Sequence, residues 1–135
     1  MSAAPVPASP ADATEPLRAV AVRYCEALHA GDAEALADAF MPQAHVMGVD
    51  GAGALIDWDR EAFLDRARAR GAGEGVADYA IRHAEAGADM GLVTLEVAVG
   101  ARRFADQLAM LRTADGWRIA NKTFTLLAGP PLAEG

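Results

Sequence analysis

The chain has 135 residues, 53% hydrophobic and 23% charged, which suits one globular domain with a core of its own and excludes a disordered or fibrous protein. Its net charge of -7 opposes nucleic-acid binding, which rests on cations neutralising phosphates, and leaves no polybasic membrane patch. One cysteine, Cys25, excludes an internal disulfide and the paired-cysteine metal motifs.

Residues 1–13 are mostly Ala, Pro and Ser, a composition that predicts a disordered tail ahead of one domain over 14–128, with a second tail over 129–135. The start lacks the basic and continuous apolar regions of a secretory leader, and no apolar run nears the roughly 20 residues that span a bilayer. A cytoplasmic protein is the expectation.

Thr14 as N-cap and Pro16 in the first turn predict a helix from about Glu15 to Ala30. Leu17, Val20, Ala21, Tyr24 and Leu28 make its apolar stripe, and Gly31 stops it. Asp32 caps a short second helix that runs to Phe40 and ends before Pro42. Strands are expected over Ala44 to Asp50 and Ala54 to Trp58. Asp59 then caps a third helix, Arg60 to Arg70, with Phe63, Leu64 and Ala67 inward. Its Arg66, Arg68 and Arg70, with Glu61 and Asp65, read as a solvated face, with anion binding the alternative. Past a Gly-rich loop at 71–75 only strands follow: Asp78 to Glu85, Gly91 to Val99, Arg103 to Arg112 and Trp117 to Leu127. Asp115-Gly116 marks the last hairpin. This order predicts an α+β fold, three N-terminal helices packed on one face of a curved, mainly antiparallel sheet.

The last hairpin reads Asp106, Leu108, Met110, Gly116, Trp117, Ile119, Asn121 and Lys122. That pattern resembles the nuclear transport factor 2-like superfamily, in particular its SnoaL-like and lumazine-binding group, over nearly all of residues 15–127. The resemblance implies a cone-shaped, cystatin-like fold with a pocket between sheet and helices, and a homodimer. The stretch from Tyr24 through Gly31-Asp32 and Phe40 to His45-Val46 is similar to bacterial ketosteroid isomerases. There, a helix tyrosine and a strand aspartate form an oxyanion hole, roles that the resemblance puts on Tyr24 and Asp106. The isomerase base falls on Gly48, so the usual general base is missing. Asp50, two residues on and on the same strand face, is the substitute candidate, with His45 and His83 behind it.

Asp106 alternates with Phe104, Leu108 and Met110, so the same face is apolar apart from one carboxyl. Phe40, Val46, Gly48, Trp58, Leu108, Met110, Trp117 and Asn121 are the expected lining of a pocket for a small apolar or aromatic ligand. Regular alternation of the last strand sends Arg118, Ala120, Lys122 and Phe124 to the open face, opposite Ala105, Gln107, Ala109 and Leu111. That face is the expected two-fold interface. No motif calls for a cofactor, and three scattered histidines are a poor metal set. Two functions stay open: a cofactor-independent isomerase, dehydratase or cyclase moving a proton next to a carbonyl, and a non-catalytic ligand-binding or dimerisation domain.

Overall fold

The computed structural model describes residues 10–132, with side chains from residue 13 onward. The elements are α1 (Pro10–Ala30), α2 (Ala33–Ala39), β1 (Phe40–Val49), β2 (Leu55–Asp59), α3 (Arg60–Arg70), β3 (Tyr79–Ala86), β4 (Met90–Val99), β5 (Arg102–Thr113) and β6 (Gly116–Ala128). One six-stranded sheet has the order β2-β1-β6-β5-β4-β3, antiparallel throughout except for the parallel β1–β6 pair. Among the described residues no helix is long and apolar enough to cross a membrane.

The stripe of α1 and the caps of α2 and α3 fall where expected, while Thr14 lies inside α1 rather than capping it. Leu17, Val20, Ala21, Tyr24 and Leu28 of α1 are all buried, at spacings that return to one helix face. Asp32 accepts from the Ala35 N–H at 3.1 Å, and Asp59 from the Ala62 N–H at 2.8 Å, so each side chain satisfies an orphan donor of its helix. Gly31, at φ 65°, lets the chain reverse between α1 and α2; a Cβ there would also strike the Gly71 backbone.

Three boundaries differ from the sequence expectation by more than one or two residues. First, α1 starts at Pro10, because Pro16 is tolerated inside a helix whose other residues are mostly good formers. Of the two expected tails, residues 1–9 and 133–135 lie outside the described residues. Second, β1 begins at Phe40, which both caps α2 and enters the sheet, and a register shift between Phe40 and His45 accommodates Pro42. Third, residues 129–132 pack on the domain. The Leu132 N–H donates to the Asp50 carbonyl at 2.9 Å, and Arg102 donates to the Pro130 and Pro131 carbonyls at 2.7 and 2.8 Å.

A larger correction concerns β6. Met110 pairs with Ile119 but Ala109 pairs with Asn121, so one extra residue, Ala120, is inserted into β6. A single inserted residue shifts the alternation by one and exchanges the two faces of everything after it. Ile119, Lys122 and Phe124 are therefore all buried, while Thr123 and Thr125 face out. The face expected to carry Lys122 and Phe124 as an interface carries neither.

The core lies between the helices and the concave side of the sheet, with Tyr24, Phe40, Leu95, Leu108, Met110 and Ile119 at its centre. Within the sheet, Gly48 of β1 lies against its cross-strand neighbour Phe124 of β6: a Cβ would sit 2.6 Å from the Phe124 carbonyl oxygen and 2.7 Å from its ring. Substituting Gly48→Ala should lower stability by about 1–3 kcal/mol through overpacking. The urea midpoint measures this, and an unchanged midpoint would mean that Phe124 does not cover the glycine.

Candidate functional site

Tyr24 comes from the buried stripe of α1, Asp106 from the inward face of β5, and Lys122 from β6 beyond the Ala120 bulge. The three meet. The Tyr24 hydroxyl donates a short hydrogen bond to Asp106 Oδ2, and Lys122 Nζ donates to the Tyr24 oxygen at 2.6 Å. Lys122 Nζ also lies 3.6 Å from Asp106 Oδ2, so the chain of bonds closes into a compact ion-paired cluster. Around the amine stand the rings of Phe63, Tyr24 and Phe124, with centroids 4.6, 5.1 and 5.6 Å away, close enough for cation–π attraction. Asp106 Oδ1 has no hydrogen-bond partner among the described residues.

Burial sets the electrostatics. It holds the Lys122 ammonium below its ordinary range, opposed by the nearby Asp106. It raises the Tyr24 phenol well above its ordinary range, and Asp106 pushes the same way. Cys25, next in sequence to Tyr24, is a buried thiol pushed up to about 12, first by burial and then by Asp106.

Beside the cluster opens a cavity of about 510 Å³ between α3 and the strands β4 to β6. Trp58, Phe63, Phe104 and Phe124 give it aromatic walls, and Leu132 closes one side. The Trp58 and Phe124 rings stack at 6.2 Å, and Phe104 meets Phe124 edge-on at 5.6 Å. Of the three clustered groups, Lys122 is the one that lines this cavity; Tyr24 and Asp106 lie behind it. Arg66, Arg70 and Arg102 are its other ionisable lining residues.

The expected site residues sort by this geometry. Tyr24 and Asp106 come together as the sequence suggested, but the Tyr24 proton is committed to Asp106 and its oxygen to Lys122. Asp50 stands apart: its Oδ1 accepts from the Ala52 and Ala54 N–H groups at 2.7 and 3.0 Å, holding the turn between β1 and β2. Its place at the turn decides this, since short loops offer free N–H donors that a local carboxylate captures. Trp58 lines the cavity. Phe40, Val46, Leu108 and Met110 are solid core instead, Gly48 is covered by Phe124, Trp117 is half-buried near the β5–β6 hairpin, and the Ala120 bulge removes Asn121 from the cavity face. His45 pairs with Asp57 at 2.8 Å on the exposed surface, and His83 lies 3.5 Å from Glu85, also exposed. Sequence reasoning missed Lys122 and Arg102, and read Arg66 and Arg70 as a solvated face with anion binding as the alternative. The available signal for the first was that Lys122 is the only lysine beside eleven arginines.

The fold, though not any one site, has parallels among known proteins. The family described as "Putative lumazine-binding" matches residues 12–125. The chain belongs to that family. Its fold is that of the nuclear transport factor 2-like superfamily. A protein of unknown function from Silicibacter pomeroyi has 25% identity and a TM-score of 0.82 over 89% of this chain and 100% of its own. One from Shewanella baltica has 18% identity and a TM-score of 0.82, over 91% and 100%. A ketosteroid isomerase-like protein from Erwinia carotovora has 15% identity and a TM-score of 0.66, over 86% and 97%. No curated protein matches the sequence.

Two measurements probe the cluster. Lys122→Met and Asp106→Leu, each leaving a buried group unpaired, should cost about 3–5 kcal/mol apiece, and the double variant less than their sum. Strict additivity in urea titrations would remove the pairing. Because the folded Cys25 pKa is raised, the folded thiol keeps its proton while the unfolded one loses it above pH 9.0. Stability contributed at lower pH is thus lost as pH climbs from 9.0 towards about 12. Relative to Cys25→Ala, the wild type should lose about 1.4 kcal/mol per pH unit in that window. Parallel curves for the two proteins would refute the shift.

Proposed function

We propose that this protein binds a small ligand with an apolar body in the cavity between α3 and the sheet, with Lys122 as the polar anchor. The observation that carries this reading is a space of about 510 Å³ whose walls are aromatic and whose inner end is a single buried amine. Pockets of a few hundred Å³ lined by apolar groups and a few convergent polar ones are where small molecules bind. Tyr24 and Asp106 then act behind the anchor: they fix the amine in position and offset the cost of burying it, without touching the ligand. No Asp, Glu or His lines the cavity among the described residues, which favours binding over the carboxylate-based proton transfer of the isomerases.

A second reading keeps proton transfer next to a carbonyl and assigns it to Lys122. What favours it is the desolvated state of that amine, since burial moves lysine towards the range where it exchanges protons near neutral pH.

The first reading is tested with N-phenylnaphthylamine, a neutral apolar dye that fluoresces out of water. The wild type should bind it, and Val99→Trp, which fills the cavity, should weaken binding by about tenfold or more through lost space. Absence of any fluorescence gain with the wild type would defeat the reading. For the second reading, the wild type should speed deuterium uptake at the α-carbon of indanone in deuterium oxide, and Lys122→Met should not. Equal rates with and without Lys122 would dismiss it.

A further inference from the structure

The charges around the cavity are one-sided. Although acids outnumber cations 19 to 12 in the chain, the cavity is lined by Lys122, Arg66, Arg70 and Arg102 and, among the described residues, by no acid. The convergence is produced by the fold: Arg66 and Arg70 stand one turn apart on α3, and Arg102 reaches the same space from the start of β5. A neighbouring hollow beyond Arg70 is different in kind, since Glu74 and Asp78 line it.

Arginines elsewhere mostly hold carboxylates. Arg60, Arg68, Arg82, Arg103 and Arg112 each sit within 4.0 Å of an acidic side chain. The cavity arginines have none among the described residues. Arg66 lies over the Trp58 ring at 4.3 Å, Arg70 donates to the Leu28 carbonyl, and Arg102 donates to two backbone carbonyls. Arg118 is likewise bound only to backbone carbonyls, so a missing acid is not by itself a signal. The signal is that three such side chains gather round one space where their charges repel. Burial, and after it the Arg102 charge, lower the Arg66 pKa, as expected of cations left uncompensated.

We propose that the ligand is an organic anion, a carboxylate or similar oxyanion on an aromatic or bulky apolar body, its charged end held by Arg66 and Arg102 and its body against Trp58 and Phe124. This rests on the cavity being a ligand site at all. Guanidinium groups suit the role because they bond oxyanions in a two-pronged geometry and stack on aromatic faces at low desolvation cost, as Arg66 already does on Trp58. Lys122, deeper and already paired with Asp106, fits a second oxygen such as a carbonyl or hydroxyl.

The test compares two dyes that share a ring system. Anilinonaphthalene sulfonate carries an anionic group, and N-phenylnaphthylamine lacks it. The wild type should bind the sulfonate at least about tenfold more tightly, the order expected for a charge-assisted pair. Arg66→Gln, and more fully Arg66→Gln with Arg102→Gln, should remove that preference while the neutral dye binds as before. Arg66→Gln breaks no backbone bond, so it keeps the test valid if the double variant folds poorly. Equal affinity for the two dyes in the wild type, or a preference unchanged in both variants, would overturn the anion inference and leave the cavity reading standing. Binding of neither dye would overturn the cavity reading and this inference with it.

Discussion

An ammonium group in the middle of an apolar core must be compensated, and much of this protein is arranged around that need. Removing such a charge from water costs several kcal/mol, so it survives only with a well-placed counter-charge and satisfied hydrogen bonds. Lys122 receives both from Asp106 and Tyr24, and aromatic rings occupy the rest of its surroundings. Each partner comes from a different layer: Tyr24 from the helical side, Asp106 and Lys122 from neighbouring strands. The cluster thereby fixes how α1 sits on the sheet. Lysine suits the position better than arginine, because a compact ammonium needs fewer partners than a guanidinium with five N–H groups.

The fold was largely legible in the sequence because its signals are local. Caps at Asp32 and Asp59 and the stripe from Leu17 to Leu28 identify the helices within their own spans. Two of the three clustered groups were legible too, since Tyr24 and Asp106 each lie in an apolar pattern that points inward. Lys122 was lost to an assumption of regular alternation. Its sign was present: Ile119 and Phe124 are both apolar and five positions apart, an odd spacing that puts both inward only if the strand contains an extra residue. Asp50 was misjudged for the opposite reason, since alternation says nothing about a carboxylate captured by the N–H groups of the next turn. The convergence of the cavity arginines could not be read, although anion binding by α3 was one alternative. On α3 alone, Arg66 and Arg70 resemble any solvated helix face, and only the approach of β5 with Arg102 gives that face a common target.

The site and the scaffold divide the work between two kinds of positive charge. Lys122 is internal and paired, so it belongs to the architecture as much as to any ligand. Arg66 and Arg102 are partly exposed and lack acidic partners among the described residues, and Arg102 keeps N–H groups beyond the two it gives to the Pro130 and Pro131 carbonyls. Gly48 belongs in the same account. At the position where the resemblance to ketosteroid isomerases puts their base, this chain has no side chain, and Phe124 lies against the glycine. One wall of the cavity is thus an aromatic ring rather than a carboxylate.

The hydrogen bonds that secure the amine span 98 and 82 residues of chain, from Tyr24 to Lys122 and from Tyr24 to Asp106. The parallel pairing of β1 with β6 is comparably distant. Contacts of such high sequence separation pay their loop-closure entropy before they return any stability, and they slow folding. During synthesis, then, α1 leaves the ribosome long before the strands that will neutralise and cover it, and its phenol must wait for them. A chain cut between residues 106 and 122 would hold a helix, a carboxylate and an unfilled hollow, with no native arrangement able to satisfy all three.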